Sequence, residues 1–547
     1  MTSAASDLHG AALDSAHVGD IRGALGTIAV DDVGARTSAS AKFKTLLAIV
    51  GPGLIVMVGD NDAGAFSTYG QAGQTYGTHL LWTFVLLIPV LYVNQEMVLR
   101  LGAVTGVGHA RLILERFGRF WGAFSVIDLF LLNALTIITE FIGVTLAAGY
   151  LGVPKVIAVL LAALVIIASA MTGSFRRFER IAMAFCAGSL LLIPLYVLAH
   201  PPAGQMAAGF AVPTIPGGAG QLSTVMLLII GIVGTTVAPW QLFFQQSYVV
   251  DKRITPRFIP YEKADLVIGI AVVIVGGAAL MGAMAAAFGG AHAAGHFTDA
   301  AGLAAGVAAY AGKAAGALFA VALLDAAMIG AFAVSLSTAY ALGDVLGLKH
   351  SLHRGIKHAK GFYLMYAALI GGAATIVLIP GSPLGLFTEG VQVLAGVLLP
   401  SATVFLLMLC NDKAVLGPWV NGRATNTFSG AVIALLIMLS LILVASVVFP
   451  GIGAGQIITI MAVCAGVAVA TGIVLLWRRG PAEPRVAAET ARAARASKEE
   501  WRMPRLAMLA PAPMSARRRL GMAGMWVYLA IAMCAVVVRI IEVALGR

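Results

Sequence analysis

Asp60 and Asp62 stand two residues apart inside the apolar run Gly51–Gly70, GPGLIVMVGDNDAGAFSTYG. An aspartate at the centre of a membrane helix costs about 2.5–3.5 kcal/mol on insertion scales, so a carboxylate there implies a partner. Gly59 and Gly64 flank the pair. Glycine lowers helix propensity where unwound backbone can turn its carbonyls toward a ligand. That combination is the chemistry of cation binding. A second interruption lies in Gly231–Trp240, GIVGTTVAPW, where Pro239 removes a backbone donor and Gly234 loosens the same stretch. Taken alone, that stretch is better read as an ordinary proline kink.

The elements that must carry these residues are membrane spans. Hydrophobic residues make up 60% of the 547 and charged residues 11%, with a mean hydropathy of +0.93. A soluble protein would carry about 25% charge. Thirteen apolar runs can be placed, at 46–69, 80–104, 120–151, 156–171, 181–199, 222–248, 264–288, 315–346, 362–380, 386–410, 427–449, 457–476 and 522–538. Alternate connections hold Arg100, Arg111, Arg116 and Arg119; Arg176, Arg177 and Arg180; Lys252, Arg253, Arg257 and Lys263; Lys349, Arg354, Lys357 and Lys360; and Lys413 and Arg423. The intervening loops hold only Lys155 and Lys313. This alternation predicts a multi-pass protein of the inner (plasma) membrane with a cytoplasmic N-terminus.

The net charge of +11 is therefore topological and gives no reason to expect a nucleic-acid partner. The partners expected from these residues are a cation and membrane lipids. The four cysteines lie in apolar runs without a CxxC spacing, so neither disulfides nor a metal cluster is expected. Residues 1–41 are rich in Ala, Gly, Ser and Asp and read as a disordered cytoplasmic tail. A core of ten spans over 42–420 follows, then two further spans over 421–476. The basic segment 477–521 reads as a cytoplasmic linker, and 522–547 as a last transmembrane helix. No HExxH, GxSxG or phosphate loop is present, so an enzyme is not expected, and no cofactor is implied.

The two interruptions fall in the first and sixth runs. Five spans is an odd number, so the second five-span unit runs in the opposite sense. Paired interrupted helices in two inverted halves point to a secondary-transporter site at the bilayer midplane.

At this level the chain resembles the Nramp divalent-metal transporters. GPGLIVMVGDNDAGAFSTYGQAGQTYGTHLLW looks like their first-helix signature, whose core is a DPGN motif. RLGAVTG, TEFIG (Thr139–Gly143), GTTVAPW and VQVLAGVLLP (Val391–Pro400) match in order over about residues 45–450. The resemblance implies an all-α polytopic fold with a LeuT-like 5+5 inverted repeat and additional C-terminal helices. It also implies metal contact by Asp62, by the carbonyl of Thr235 and by Gln392. Ala65 replaces the family's ligating Asn, Ala238 its Met and Trp240 the adjacent His. Gln245 stands where a second His is usual, and Ile137 takes the place of an Asp associated with the proton route. Glu140 is kept. Asp60 reads either as a second carboxylate for the ion or as a gating residue at a helix end. Glu140, Trp240 and Gln245 are candidates for proton movement or gating, with packing as the bland reading of each.

A thioether favours softer transition metals, so its loss at Ala238 weakens discrimination against Mg²⁺. Mg²⁺ keeps several waters, and alanines at 65 and 238 would leave room for them. These departures resemble the Nramp-related magnesium transporters. They predict transport of Mg²⁺ and Mn²⁺ without obligatory proton coupling. The alternatives are a proton-coupled Mn²⁺/Fe²⁺ importer of the ordinary Nramp type and a LeuT-fold carrier of amino acids or amines.

Overall fold

The computed structural model describes residues 14–216, 222–289, 296–381, 384–449, 451–477, 498–509, 512, 521–531 and 534. The side chains of Glu389 and Gln392, the whole of His292 and most of the basic linker lie outside the described residues.

Span 1 is built in three pieces, Ala39–Ile49, Pro52–Val58 and Ala63–Tyr76. Spans 2 to 5 are Trp82–Thr105, Arg119–Tyr150, Lys155–Ala170 and Phe175–Ala199. Span 6 comprises Leu222–Thr236 and Pro239–Asp251. Spans 7 to 10 are Ile259–Phe288, Lys313–Leu346, Lys360–Leu378 and Leu384–Cys410. Spans 11 and 12 are Arg423–Val448 and Ala454–Trp477. Among the described residues nine helices are long and apolar enough to cross a membrane, or eleven when each of two bent pairs counts as one span. Two of the thirteen expected runs form shorter helices, Lys155–Ala170 and Gly521–Ile531. A further helix that hydropathy did not separate, Ala300–Ala311, follows the loop after span 7.

Both expected breaks are present. In span 1 the helix stops at Val58 and restarts at Ala63, and an additional bend of 52° separates Ala39–Ile49 from Pro52–Val58. Gly51, at φ +154°, makes that turn; a side chain there would also collide with Glu179, 2.3 Å from where its Cβ would stand. In span 6, Ala238 is extended and Pro239 opens the second piece. At a first turn proline's missing N–H leaves no hydrogen bond unmade. Pro239 therefore restarts a helix rather than kinking one.

Close approach of spans 1 and 7 depends on glycine. A Cβ at Gly73 would lie 2.3 Å from the Met281 carbonyl, and one at Gly53 2.7 Å from the Leu266 amide. Small residues of this kind let membrane helices pack backbone to backbone. Asp265 of span 7 then caps the Pro52–Val58 helix, accepting from Gly53 N at 2.6 Å and from Gly51 N and Leu54 N at 3.2 Å each. The outward faces remain apolar. Ile157, Leu160 and Leu164 of span 4 are more than half exposed, a surface suited to lipid.

The N-terminal segment differs from the disordered tail expected over 1–41. From Asp14 onward it forms a short 3₁₀ turn and an antiparallel strand pair, β1 (Ile21–Arg22) and β2 (Thr27–Ile28). Ile21, Ala24 and Ile28 are buried against the helical body. Composition misses this order because the stabilising groups belong to distant loops. In the basic linker, residues 498–509 dock on the same face. Trp419 Nε1 donates to the Lys498 carbonyl at 2.8 Å, and the Lys498 ammonium lies 4.3 Å over the Trp419 ring.

Candidate functional site

Asp62 ends the break in span 1. Its backbone is extended, and its Oδ1 accepts the Ala65 amide at 2.8 Å, capping the Ala63–Tyr76 helix. The helix N-terminus and the carboxylate thus face each other, which stabilises the negative charge. Glu140 of span 3 meets the same helix start, its Oε2 accepting from Ala63 N at 3.1 Å. Asp62 and Glu140 thus meet at one helix start, and both crowd the same point beside Gly330.

A cavity of about 30 Å³ lies beside this pair. Asp62, Gly64, Glu140, Thr235, Ala238 and Trp240 line it, with Thr136 and Thr139 of span 3 and Val391 and Ala395 of span 10. That volume holds about two waters. The two helix breaks therefore bound one small polar space, which is the arrangement that paired interrupted spans imply. Among the described residues no group of three or more His, Cys, Asp or Glu could hold a metal. A cation here would draw on hydroxyl and carbonyl oxygens beside Asp62, a hard donor set.

The expected site residues separate into two groups. Asp62, Glu140, Thr235, Ala238 and Trp240 share the cavity. Asp60 and Ala65 do not line it. Asp60 is fully buried against span 6, where Gln241 Nε2 donates to its Oδ1 and Gln95 Nε2 donates to Gln241 Oε1 at 3.0 Å. This amide chain accounts for Asp60 as a link between the two breaks. Its Oδ2 has no hydrogen-bond partner. Ala65 is buried one turn into its helix, where its amide serves the Asp62 cap. Gln245 is fully enclosed with both amide atoms unpartnered. Trp240 is held by Ser337 Oγ, which donates to its carbonyl at 2.9 Å, and stacks edge-on to Phe244 at 5.9 Å.

Sequence reading missed Thr136, Gln241, Gln95 and Gly330. Thr136 lies one helical turn before Glu140, a spacing that could have placed it on the same face. Gly330 of span 8 had no local signal. A Cβ there would lie 2.7 Å from the Glu140 carboxyl and 2.8 Å from Asp62 Cβ.

A second, larger cavity of about 610 Å³ meets the first at Thr139. It is lined by Ser67, Thr68 and Gln71 of span 1, by Thr145 of span 3 and by Phe297–Ala300. Those last residues follow the end of span 7 opposite the basic connection that holds Lys252 and Lys263. The vestibule therefore approaches the site from the face away from the basic loops.

Glu96 forms the expected pair with Arg100 at 3.0 Å, and Lys263 joins it at 2.9 Å. Asp128 and Ser401 line a separate small void with Pro239.

Fold and site together define a broken-helix secondary transporter. The model of the Natural resistance-associated macrophage protein-like (Nramp) family matches residues 53–446, and the chain belongs to that family. It is 30% identical to the divalent metal cation transporter MntH of Ralstonia nicotianae over 425 residues, covering 74% of this chain and 91% of that one. The MntH of Erwinia tasmaniensis is 27% identical over 413 residues, covering 73% and 94%. Among solved structures the chain is similar to a manganese transporter of Eremococcus coleocola, with a TM-score of 0.62 and 22% identity over 82% of this chain and 96% of that one. A histidine-to-alanine mutant of that transporter matches with a TM-score of 0.59 and 21% identity, over 84% of this chain and 97% of that one. These likenesses establish the all-α, multi-spanning LeuT-like fold. Members of the family are secondary transporters rather than enzymes.

Proposed function

We propose that this protein carries divalent metal cations across the inner membrane by alternating access, with its basic loops and N-terminus on the cytoplasmic side. The observation that carries the reading is Asp62, capped at the break of span 1 and facing Thr235 and Ala238 across a cavity of about 30 Å³. A vestibule of about 610 Å³ leads toward it from the face away from the basic loops. The relatives at 30% and 27% identity are named divalent metal cation transporters, which supports the same class of substrate.

On ion and coupling, the family relationship favours the proton-coupled Mn²⁺/Fe²⁺ alternative over Mg²⁺ transport without proton coupling. Two features of the site agree with it. Space for about two waters suits an ion that has shed most of its hydration shell, whereas Mg²⁺ dehydrates reluctantly. Glu140, which meets the same helix start as Asp62, is placed to exchange a proton as a cation arrives. Ala238 keeps a second reading in place, because without a sulfur ligand the site has little means of rejecting Mg²⁺. Gln392 remains a proposed ligand from the resemblance alone.

Uptake into liposomes loaded with a pH-sensitive dye tests both readings, with Mn²⁺, Mg²⁺ and lysine compared in wild type and Asp62→Ala. Mn²⁺ entry with matching internal acidification, lost in the mutant, is the expected result. Mg²⁺ entry without acidification would move the protein to the second reading. Lysine uptake, or metal uptake unchanged in Asp62→Ala, would overturn the proposal.

A further inference from the structure

Residues 14–36 lie across the basic face, and positive side chains from three separate regions of the body hold them there. The Asp14 carboxylate receives Arg354 Nε at 3.0 Å to each oxygen. Arg253 donates to the carbonyls of Ala16 at 2.9 Å and Asp20 at 3.0 Å. Arg176 and Arg180, at the start of span 5, donate to the carbonyls of Gly23 and Ala24 at 3.1 Å each. Charges that alternation assigned to membrane topology thus also serve as donors to one peptide segment.

The segment also presses on the first helix of span 1. A Cβ on Gly23 would lie 2.1 Å from the Ala48 carbonyl, and one on Gly26 2.9 Å from Ala48 Cβ. Behind this contact the enclosed Lys252 ammonium donates to Ile49 O at 2.6 Å, to Val50 O at 2.8 Å and to Glu179 at 2.7 Å. The other Glu179 oxygen accepts the Ala24 amide at 2.5 Å. Segment, first helix of span 1, span 5 and the end of span 6 therefore meet in one buried knot. The vestibule lies on the opposite face.

We propose that residues 14–36 are a releasable latch: seated, they hold the first helix of span 1 closed over the basic face, and they must leave their seat before that face opens. The inference rests on the alternating-access reading, but its test needs no ion flux, so the two can fail separately. A single cysteine at Val56→Cys, buried in the inner part of span 1, is introduced after the four native cysteines are replaced, and its alkylation by a polar maleimide is timed. Thr68→Cys, on the vestibule side, serves as the reference. Asp14→Arg and Arg354→Asp are each expected to speed labelling at position 56 about tenfold or more and leave position 68 unchanged. The exchanged pair Asp14→Arg/Arg354→Asp is expected to return it toward the parent rate. Removal of residues 1–36 is expected to give the largest increase. Parent-like labelling at position 56 in both single variants and the truncation would overturn the latch. So would an increase matched at position 68, which would mean general loosening.

Discussion

Asp62 and Glu140 come from different spans, 78 positions apart, yet both carboxyl groups accept from the start of the same half-helix, Asp62 from the Ala65 amide and Glu140 from the Ala63 amide. Carboxyl groups placed so close disfavour each other's charge, and an arriving cation relieves that repulsion. Metal binding should therefore release a proton, measurable by calorimetry of Mn²⁺ binding in buffers of different ionisation enthalpy. Glu140→Gln should retain Mn²⁺ binding while the buffer dependence disappears. Asp62→Asn should weaken binding at least tenfold, or about 1.4 kcal/mol. Equal buffer dependence in wild type and Glu140→Gln would show that the proton comes from elsewhere.

Gly330 allows the pair to form. A Cβ there would come within 2.8 Å of both acidic side chains. Gly330→Val should displace span 8 from spans 1 and 3, costing about 1–3 kcal/mol of stability as overpacking does. Mn²⁺ uptake should fall more steeply than the melting temperature. A valine variant with wild-type uptake would show that the helices give way freely at this point.

The buried Lys252–Glu179 pair makes a different prediction. Both side chains are fully enclosed and 2.7 Å apart. Lys252→Met leaves Glu179 as an uncompensated buried carboxylate, a loss of about 3–5 kcal/mol. The double variant Lys252→Met/Glu179→Gln should recover much of that loss in thermal unfolding. A double variant no better than the single would mean that the ammonium's bonds to Ile49 and Val50 dominate.

The latch seat should loosen in acid. His17 lies 3.6 Å from Asp251 and 5.5 Å, ring to ring, from His350, with Asp14, Asp344, His353 and Arg253 close by. Burial outweighs Asp251 and lowers the His17 pKa below its usual 6.5, and burial lowers His353 likewise. Both sit in the seat uncharged, so their contribution is intact above about 6.5 and is lost as pH falls below it. His350 holds its charge independently of the segment: burial opposes it, but Asp344 of span 8 at 3.0 Å pushes its pKa up to about 9, so it faces His17 as a cation at neutral pH. Burial works against the Asp14 charge, but Arg354 holds its pKa below the usual value, so it adds a loss only in stronger acid. Labelling at Val56→Cys, relative to Thr68→Cys, should therefore quicken as pH falls below about 6.5. His17→Gln should flatten that rise. An unchanged profile in His17→Gln would remove this histidine from the seat.

Much of this protein was legible locally. Apolar length marked the runs that became helices, because each span satisfies its own backbone hydrogen bonds and depends little on its neighbours. Gly59, Gly64 and Pro239 marked the breaks for the same reason, since helix termination is a matter of a few residues. Asp62 followed as the carboxylate exposed by the first break.

Side-chain partnership was not legible in that way. Asp60 and Asp62 are equivalent on paper, but the break turns one toward Gln241 and the other toward the cavity. The alanines at 65 and 238 suggested a roomier site, whereas the packing of spans 1, 3, 6 and 10 leaves about 30 Å³. The sequence by itself determined a membrane transporter framework with two interrupted helices and a carboxylate at the first break. Only the tertiary structure decided that Glu140 meets Asp62 at one helix start, that Gly330 makes room for both, and that residues 14–36 are ordered. Those outcomes depend on distances between segments far apart in the chain, which no local pattern encodes.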